Sequence, residues 1–113
     1  MPPVIEESAR ARLISDAPDE GGQIPVALRY DATADPPTVH VTFPGGTDWV
    51  LGRDLLEDGL RTPVERGGVR VWPCGRAQLV VELHSPDGVE VIELDNGPLI
   101  RFLDRTYKES VSV

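Results

Sequence analysis

The sequence predicts an α+β fold of seven strands and two helices in the order ββββα-βββα. Apolar residues at every second position predict the strands, because successive side chains of a strand point to opposite faces. Apolar spacing changes to three and four once in the middle of the chain and once near its end, which predicts the two helices. Since 113 residues suffice for one core, we expect a single domain over residues 1–113, with residues 1–7 frayed.

Four strands are predicted before the first helix. They are "SARARLI" at 8–14, "PVALRYD" at 25–31, "TVHVTF" at 38–43 and "DWVL" at 48–51. The segments between them are rich in Pro, Gly and Asp, which predicts a loop at 15–23 and turns at "ATADPP" and "PGGT". The "PGGT" turn indicates that the third and fourth strands pair antiparallel.

Three more strands are predicted between the helices. They are "GGVRVWP" at 67–73, "AQLVVELH" at 77–84 and "VEVIEL" at 89–94. The last begins with Val89 and Val91 in one phase and then changes to Ile92 and Leu94. Such a change of phase predicts a β-bulge in this strand.

The first helix is predicted from Arg53 to Leu60. One side of this helix carries Leu55, Leu56 and Leu60, and the other side carries Asp54, Glu57 and Asp58. Gly59 and Pro63 are predicted to end it. An isolated helix this short is unstable in water, so tertiary contacts must hold it.

The second helix is predicted near the end of the chain. Its apolar face comprises Leu99, Phe102, Leu103 and Tyr107, with Asp95 or Asn96 as its cap and Pro98 in its first turn. One amphipathic helix of this length covers little of a sheet, which indicates self-association.

The composition argues against several classes of function. A net charge of −8 is repelled at long range by nucleic acid and by anionic lipid. No apolar run approaches the roughly 18 residues of a spanning helix, and the N-terminus lacks an apolar signal region, so we expect a cytoplasmic protein without membrane insertion. Cys74, the one cysteine, cannot form an intramolecular disulfide and is predicted to be a small apolar residue at a strand end.

Common catalytic patterns are also missing from the sequence. His40 and His84 match no metal-ligand spacing, there is no G-x-S-x-G turn, and no glycine-rich piece leads into a helix with a lysine. We therefore expect no catalytic residue, no metal and no cofactor, and we interpret the chain as not an enzyme. An unrecognised site around His40 or His84 is the enzymatic alternative.

Four arginines allow a nucleic-acid alternative. Arg10, Arg12, Arg29 and Arg70 all fall on outward positions of predicted strands. If those strands are neighbours, one face could be locally basic, and bases could stack on Trp72 or Tyr30. The other interpretation is that the arginines lie over the sheet and pair with the many acids.

Four blocks of the chain resemble the SsgA-like sporulation and cell-division proteins of actinomycetes. They are "PVALRYDATADPPTVHVTF" at 25–43, "WVLGRDLLEDGLRTPVERGGVRVWP" at 49–73, "LHSPDGVEVIEL" at 83–94 and "FLDRTYK" at 102–108. The resemblance implies a whirly-like fold with two antiparallel sheets, a short helix and a C-terminal amphipathic helix, assembled as a homotrimer. It further implies a non-catalytic regulator of sporulation-specific division, located at the septum, which binds FtsZ or an SsgA-like paralogue.

The short helix is the candidate site. It either plugs one end of the sheet or lies at the subunit boundary of the implied trimer, and the sequence does not separate these alternatives. The candidate oligomer or partner surface comprises Trp49, Arg53, Asp54, Leu55, Leu56, Glu57, Asp58 and Trp72.

Overall fold

A computed structural model describes residues 5–14, 23–86 and 88–111, which form eight strands and two helices. In chain order these are β1 (Glu6–Ile14), β2 (Gln23–Asp31), β3 (Thr38–Thr42), β4 (Asp48–Gly52), α1 (Arg53–Gly59), β5 (Val64–Arg66), β6 (Val69–Cys74), β7 (Gln78–Ser85), β8 (Gly88–Asp95) and α2 (Asn96–Val111). The prediction of a mainly antiparallel fold with one short and one longer helix is confirmed. Neither helix, within the described ranges, is long and apolar enough to cross a membrane.

All eight strands belong to one antiparallel sheet, in the order β4-β3-β2-β1-β8-β7-β6-β5. The expectation of two separate sheets is therefore wrong. The sheet is continuous because β1 pairs with β2 on one side and with β8 on the other, where Leu13 lies opposite Ile92. No local pattern reveals a pairing between residues so far apart in the sequence.

Strand β5 was not predicted from the sequence. It has three residues, too few to show an alternation, and it pairs with β6 so that Val64 lies opposite Val71. Gly67 and Gly68 connect the two strands with φ angles of 58° and 82°. Two glycines with positive φ are typical of a two-residue hairpin turn, so "GG" was the signal for this strand.

The predicted bulge in β8 is absent. Pairing of β8 with β7 runs without interruption from Asp95 opposite Gln78 to Gly88 opposite Ser85. Ile92 and Leu94 are fully buried, whereas Val89 is 55% exposed. The change of phase therefore marks apolar residues on both faces of a regular strand.

The N-terminal strand begins earlier than expected. Ile5 is buried, and its carbonyl accepts a hydrogen bond of 3.1 Å from the backbone N–H of Tyr30. Glu6 pairs with Arg29, so the expected fraying does not extend to residues 5–7. Residues 1–4 and most of the predicted loop, residues 15–22, lie outside the described residues.

The sheet must be curled, since one short helix contacts both of its edges. Helix α1 packs on β4 at one edge and on β5 and β6 at the other, while α2 packs on β1, β2 and β8 near the centre. In a flat sheet, eight strands would separate the edges by about 34 Å, whereas a seven-residue helix is about 10 Å long. Both helices thus close the concave face over the core.

The core consists of alternate strand positions and the apolar faces of both helices. Its fully buried members include Leu28, Val41, Leu79, Ile92 and Phe102. Thr106 is also buried, and its hydroxyl donates a 2.7 Å hydrogen bond to the carbonyl of Leu103, so burial leaves no unmet donor there.

Candidate interaction site at the two helices

Helix α1 is held against the sheet by close packing. Leu55 and Leu56 are buried in the core, as the sequence pattern predicts. Gly59 lies so near β6 that a Cβ on it would stand 2.2 Å from Cγ1 of Val71. The helix ends at Gly59 as expected, but Leu60 follows with right-handed angles (φ −69°, ψ −21°), so the glycine serves close approach rather than a left-handed cap.

Arg53, the first residue of α1, joins three parts of the chain. Its Nη1 donates a hydrogen bond of 2.9 Å to the hydroxyl of Tyr30 on β2. Its guanidinium lies 4.1 Å from the ring centroid of Tyr107 on α2, within the range of a cation–π contact. Its backbone N–H donates to the carbonyl of Pro37 at 3.1 Å. The beginning of α1 is therefore fixed to the sheet and to α2 together.

The hydroxyl of Tyr107 faces the acidic side of α1. It donates a hydrogen bond of 3.3 Å to Oδ1 of Asp54. Burial raises the pKa of Tyr107 well above its ordinary value. The neighbouring Glu57 carboxylate raises this pKa further, because it favours the protonated hydroxyl as a hydrogen-bond donor and repels a second negative charge. The hydroxyl of Tyr107 therefore stays protonated near neutral pH and can donate this hydrogen bond.

A groove lies between the two helices and has a cavity volume of about 210 Å³. We call it the helix groove; its lining residues are Glu57, Leu60, Arg61, Ile100, Leu103, Asp104 and Tyr107. Arg61 pairs with Glu57 at 3.1 Å, and Lys108 pairs with Asp104 at 3.1 Å. Both pairs join residues four apart in sequence; Arg61 lies in the turn after α1, and Lys108 lies on α2.

The structure separates the predicted surface residues into three groups. Trp49, Leu55 and Leu56 point into the core of this chain, where Trp49 packs on Phe43 with 5.3 Å between ring centroids. The polar residues of α1 share its outer side: Arg53, Asp54, Glu57 and Asp58.

Trp72 stands apart from that group, since it lies on the convex face of β6. Its neighbour Val71 points to the core, and Arg70 covers the Trp72 ring at 5.7 Å from the centroid. The structure therefore brings together only the α1 members of the predicted surface.

Sequence reasoning missed the roles of Tyr30 and Ile100. Tyr30 was considered only as a surface on which bases could stack, whereas its hydroxyl accepts a hydrogen bond from Arg53. Ile100 falls outside the predicted apolar face of α2, and an aliphatic residue on the polar side of an amphipathic helix was the available signal. Arg53 is the point where three of the four blocks that resemble the SsgA-like proteins come together, through "LRYD", "GRDLL" and "RTYK".

The convex face of the sheet does not form a basic surface from its arginines. Glu6 lies directly opposite Arg29, and Glu93 lies directly opposite Arg12. Arg70 has Glu65 on one side and Glu82 on the other. Alternating charges favour the interpretation in which these arginines pair with acids.

The two histidines occupy separate parts of the convex face. Nδ1 of His40 lies 2.7 Å from Oδ2 of Asp48, and this hydrogen bond holds the pKa of Asp48 below its ordinary value. His84 contacts Glu82 on β7. Within the described ranges, no group of three or more His, Cys, Asp or Glu is placed to hold a metal ion.

The fold and the helix groove define a small α+β domain built on one curled antiparallel sheet. A family model described as "Streptomyces sporulation and cell division protein, SsgA" matches residues 24–112. This chain belongs to that family of sporulation and cell-division proteins.

Curated relatives carry the name sporulation-specific cell division protein SsgB. The one from Streptomyces coelicolor is 44% identical over 90 residues, which are 74% of this chain and 65% of the relative. The one from Kineococcus radiotolerans is 38% identical over 109 residues, 89% of this chain and 64% of the relative. The chain thus spans slightly less than two thirds of these two relatives. The protein from Salinispora tropica is 41% identical, with 94% of this chain and 79% of the relative aligned.

Two solved structures share the fold. One, described under "Mutations in SsgB correlate to longitudinal cell division during sporulation of Streptomyces coelicolor", has a TM-score of 0.78 and 37% identity, and covers 94% of this chain and 86% of its own. The other is an SsgA-like sporulation-specific cell division protein from Thermobifida fusca, with a TM-score of 0.70, 27% identity, and coverage of 94% and 81%. Similarity at this level supports the curled sheet with two helices.

Proposed function

We propose that this chain is a non-catalytic regulator of sporulation-specific cell division. It acts by contact with other proteins and positions or recruits septum machinery, such as FtsZ or an SsgA-like paralogue, at the division septum. The family match over residues 24–112 carries this proposal. The relatives' shared name supports the sporulation role, while the named partners and the septal location are our extension of it.

The surface of the two helices supports a role in protein contact. Asp54 and Glu57 are accessible on α1, and the half-exposed Ile100 lines the helix groove together with Glu57. Exposed apolar area bordered by polar groups is typical of a protein-binding surface. The convex face, by contrast, offers alternating charges rather than the basic surface that a nucleic acid needs.

We further propose that the chain works as a homotrimer. Leu13 and Ile14 on β1 and Val89 on β8 are large apolar side chains that the isolated chain leaves exposed. Their burial between copies would supply apolar contact area. Light scattering at micromolar concentration should report three chains, and a strict monomer would contradict the trimer. The whirly-like character of the fold stays a prediction of the resemblance.

A deletion strain tests the regulatory role. We expect misplaced or missing sporulation septa, restored by the full chain expressed from a second locus. The same strain should show altered FtsZ positions under fluorescence, and FtsZ or the paralogue should copurify with the tagged chain. Normal septum number and spacing in the deletion strain would contradict the proposed function.

A further inference from the structure

Ile100 is a large apolar side chain that α2 leaves 50% exposed. Its neighbours Leu99, Phe102 and Leu103 are buried against the sheet, as the amphipathic pattern requires. Ile100 instead lines the helix groove together with Leu60, the residue that directly follows α1. The two side chains give the groove an apolar wall on each side.

The size of the helix groove indicates what it can hold. Its volume of about 210 Å³ is below the roughly 300–1,000 Å³ typical of sites for small molecules and cofactors. A space of this size suits one or two side chains from another protein. An apolar side chain placed there would remove Ile100 and Leu60 from water, which stabilises the complex.

The charges at the groove favour a partner segment in which a basic residue stands next to the apolar side chain. Glu57 on α1 and Asp104 on α2 place a carboxylate on each helix. Their partners Arg61 and Lys108 are each 74% exposed, so these pairs contribute only about 0–1 kcal/mol. A lysine or arginine of a partner can replace them, and the net charge of −8 favours the approach of a basic segment.

We propose that the helix groove binds a segment of a partner protein in which an apolar side chain stands next to Lys or Arg. The apolar side chain contacts Ile100, Leu60 and Leu103, and the basic group binds Glu57 or Asp104. This inference rests on the proposed function, because it names the chemistry of the partner for a protein that acts by contact.

Photo-crosslinking in the native host tests the occupant. A benzophenone amino acid is placed at Ile100 of the full chain, and the control has it at Val50, which is 54% exposed on the convex face of β4. We expect crosslinks at position 100 to a peptide of another protein, with Lys or Arg within a few residues of the attachment point. Crosslinks to a second copy of this chain, to an acidic segment, or no excess over the Val50 control would each overturn the proposal.

Affinity measurements with the crosslinked segment, made as a synthetic peptide, test the contacts. Ile100→Glu should weaken binding at least tenfold, while Val50→Glu, an equally exposed apolar-to-acid change, should leave it unchanged. The double variant Glu57→Gln with Asp104→Asn should weaken binding and reduce its salt dependence. Circular dichroism and thermal unfolding check that each variant folds. Equal effects of Ile100→Glu and Val50→Glu would overturn the assignment to this groove.

Complementation separates this proposal from the proposed function. If the deletion strain has a septation defect that Ile100→Glu restores fully, the regulatory function stands and the groove proposal fails. If the deletion strain has no defect, the regulatory function fails on its own. A defect restored by Val50→Glu but not by folded Ile100→Glu supports both.

Discussion

Replacing Gly59 by alanine should destabilise the protein through a single contact. The new Cβ would lie 2.2 Å from Cγ1 and 2.7 Å from Cβ of Val71, closer than any real Cβ contact allows. Val71 is fully buried and pairs with Val64 and Val81, so it cannot move away alone. Helix α1 must therefore shift outward, which loosens Leu55 and Leu56 in the core.

The expected size follows from two opposing effects. Alanine is favoured over glycine in a helix by about 1 kcal/mol, whereas forcing atoms into a packed core costs about 1–3 kcal/mol or more. Because this overlap exceeds 1 Å and one side is rigid sheet, we expect a net loss of about 2 kcal/mol in the free energy of unfolding. That corresponds to a fall in Tm of roughly 10 °C for a domain of this size.

Urea unfolding followed by circular dichroism measures this loss, and Gly52→Ala is the matched control. Gly52 precedes the same helix with φ −66° and ψ 137°, and a Cβ there would meet its nearest atom at 3.7 Å. The control should change the free energy of unfolding by no more than about 0.5 kcal/mol. If Gly59→Ala were as stable as the parent, the close approach of α1 to β6 would be refuted.

Three further substitutions test other contacts. Leu56→Ala should lower the free energy of unfolding by about 2–5 kcal/mol, because this leucine is fully buried; urea unfolding measures the loss, and a loss below 1 kcal/mol contradicts that burial. Tyr107→Phe should cost about 1 kcal/mol in the same assay, since it removes the hydrogen bond to Asp54 but keeps the ring; a neutral result means the bond contributes nothing. The lowered pKa of Asp48 implies stability that is present above its unfolded pKa of about 4 and lost as pH falls through the lower folded value. The stability difference between the parent and Asp48→Asn should therefore shrink below about pH 4, and a pH-independent difference would speak against the pairing with His40.

Local patterns in the sequence determined most of the elements. Period-two alternation located seven of the eight strands, because each buries one face and the side-chain period of a strand is two. The apolar spacing at Leu99, Phe102 and Leu103 identified α2, and paired leucines identified α1. The short strand β5 was not predicted, because three residues are too few to show an alternation of apolar and polar positions.

Only the tertiary structure decided how these elements join and which residues form the site. The pairing of β1 with β8 makes one sheet instead of two, and it depends on side-chain fit between segments about 80 residues apart. Packing between distant segments also decides three features of the site. These are the contact of Arg53 with Tyr30 and Tyr107, the fit of Gly59 on Val71, and the exposure of Ile100. A linear sequence specifies which face of each element is apolar, whereas the partner that covers each face is selected by packing the whole chain.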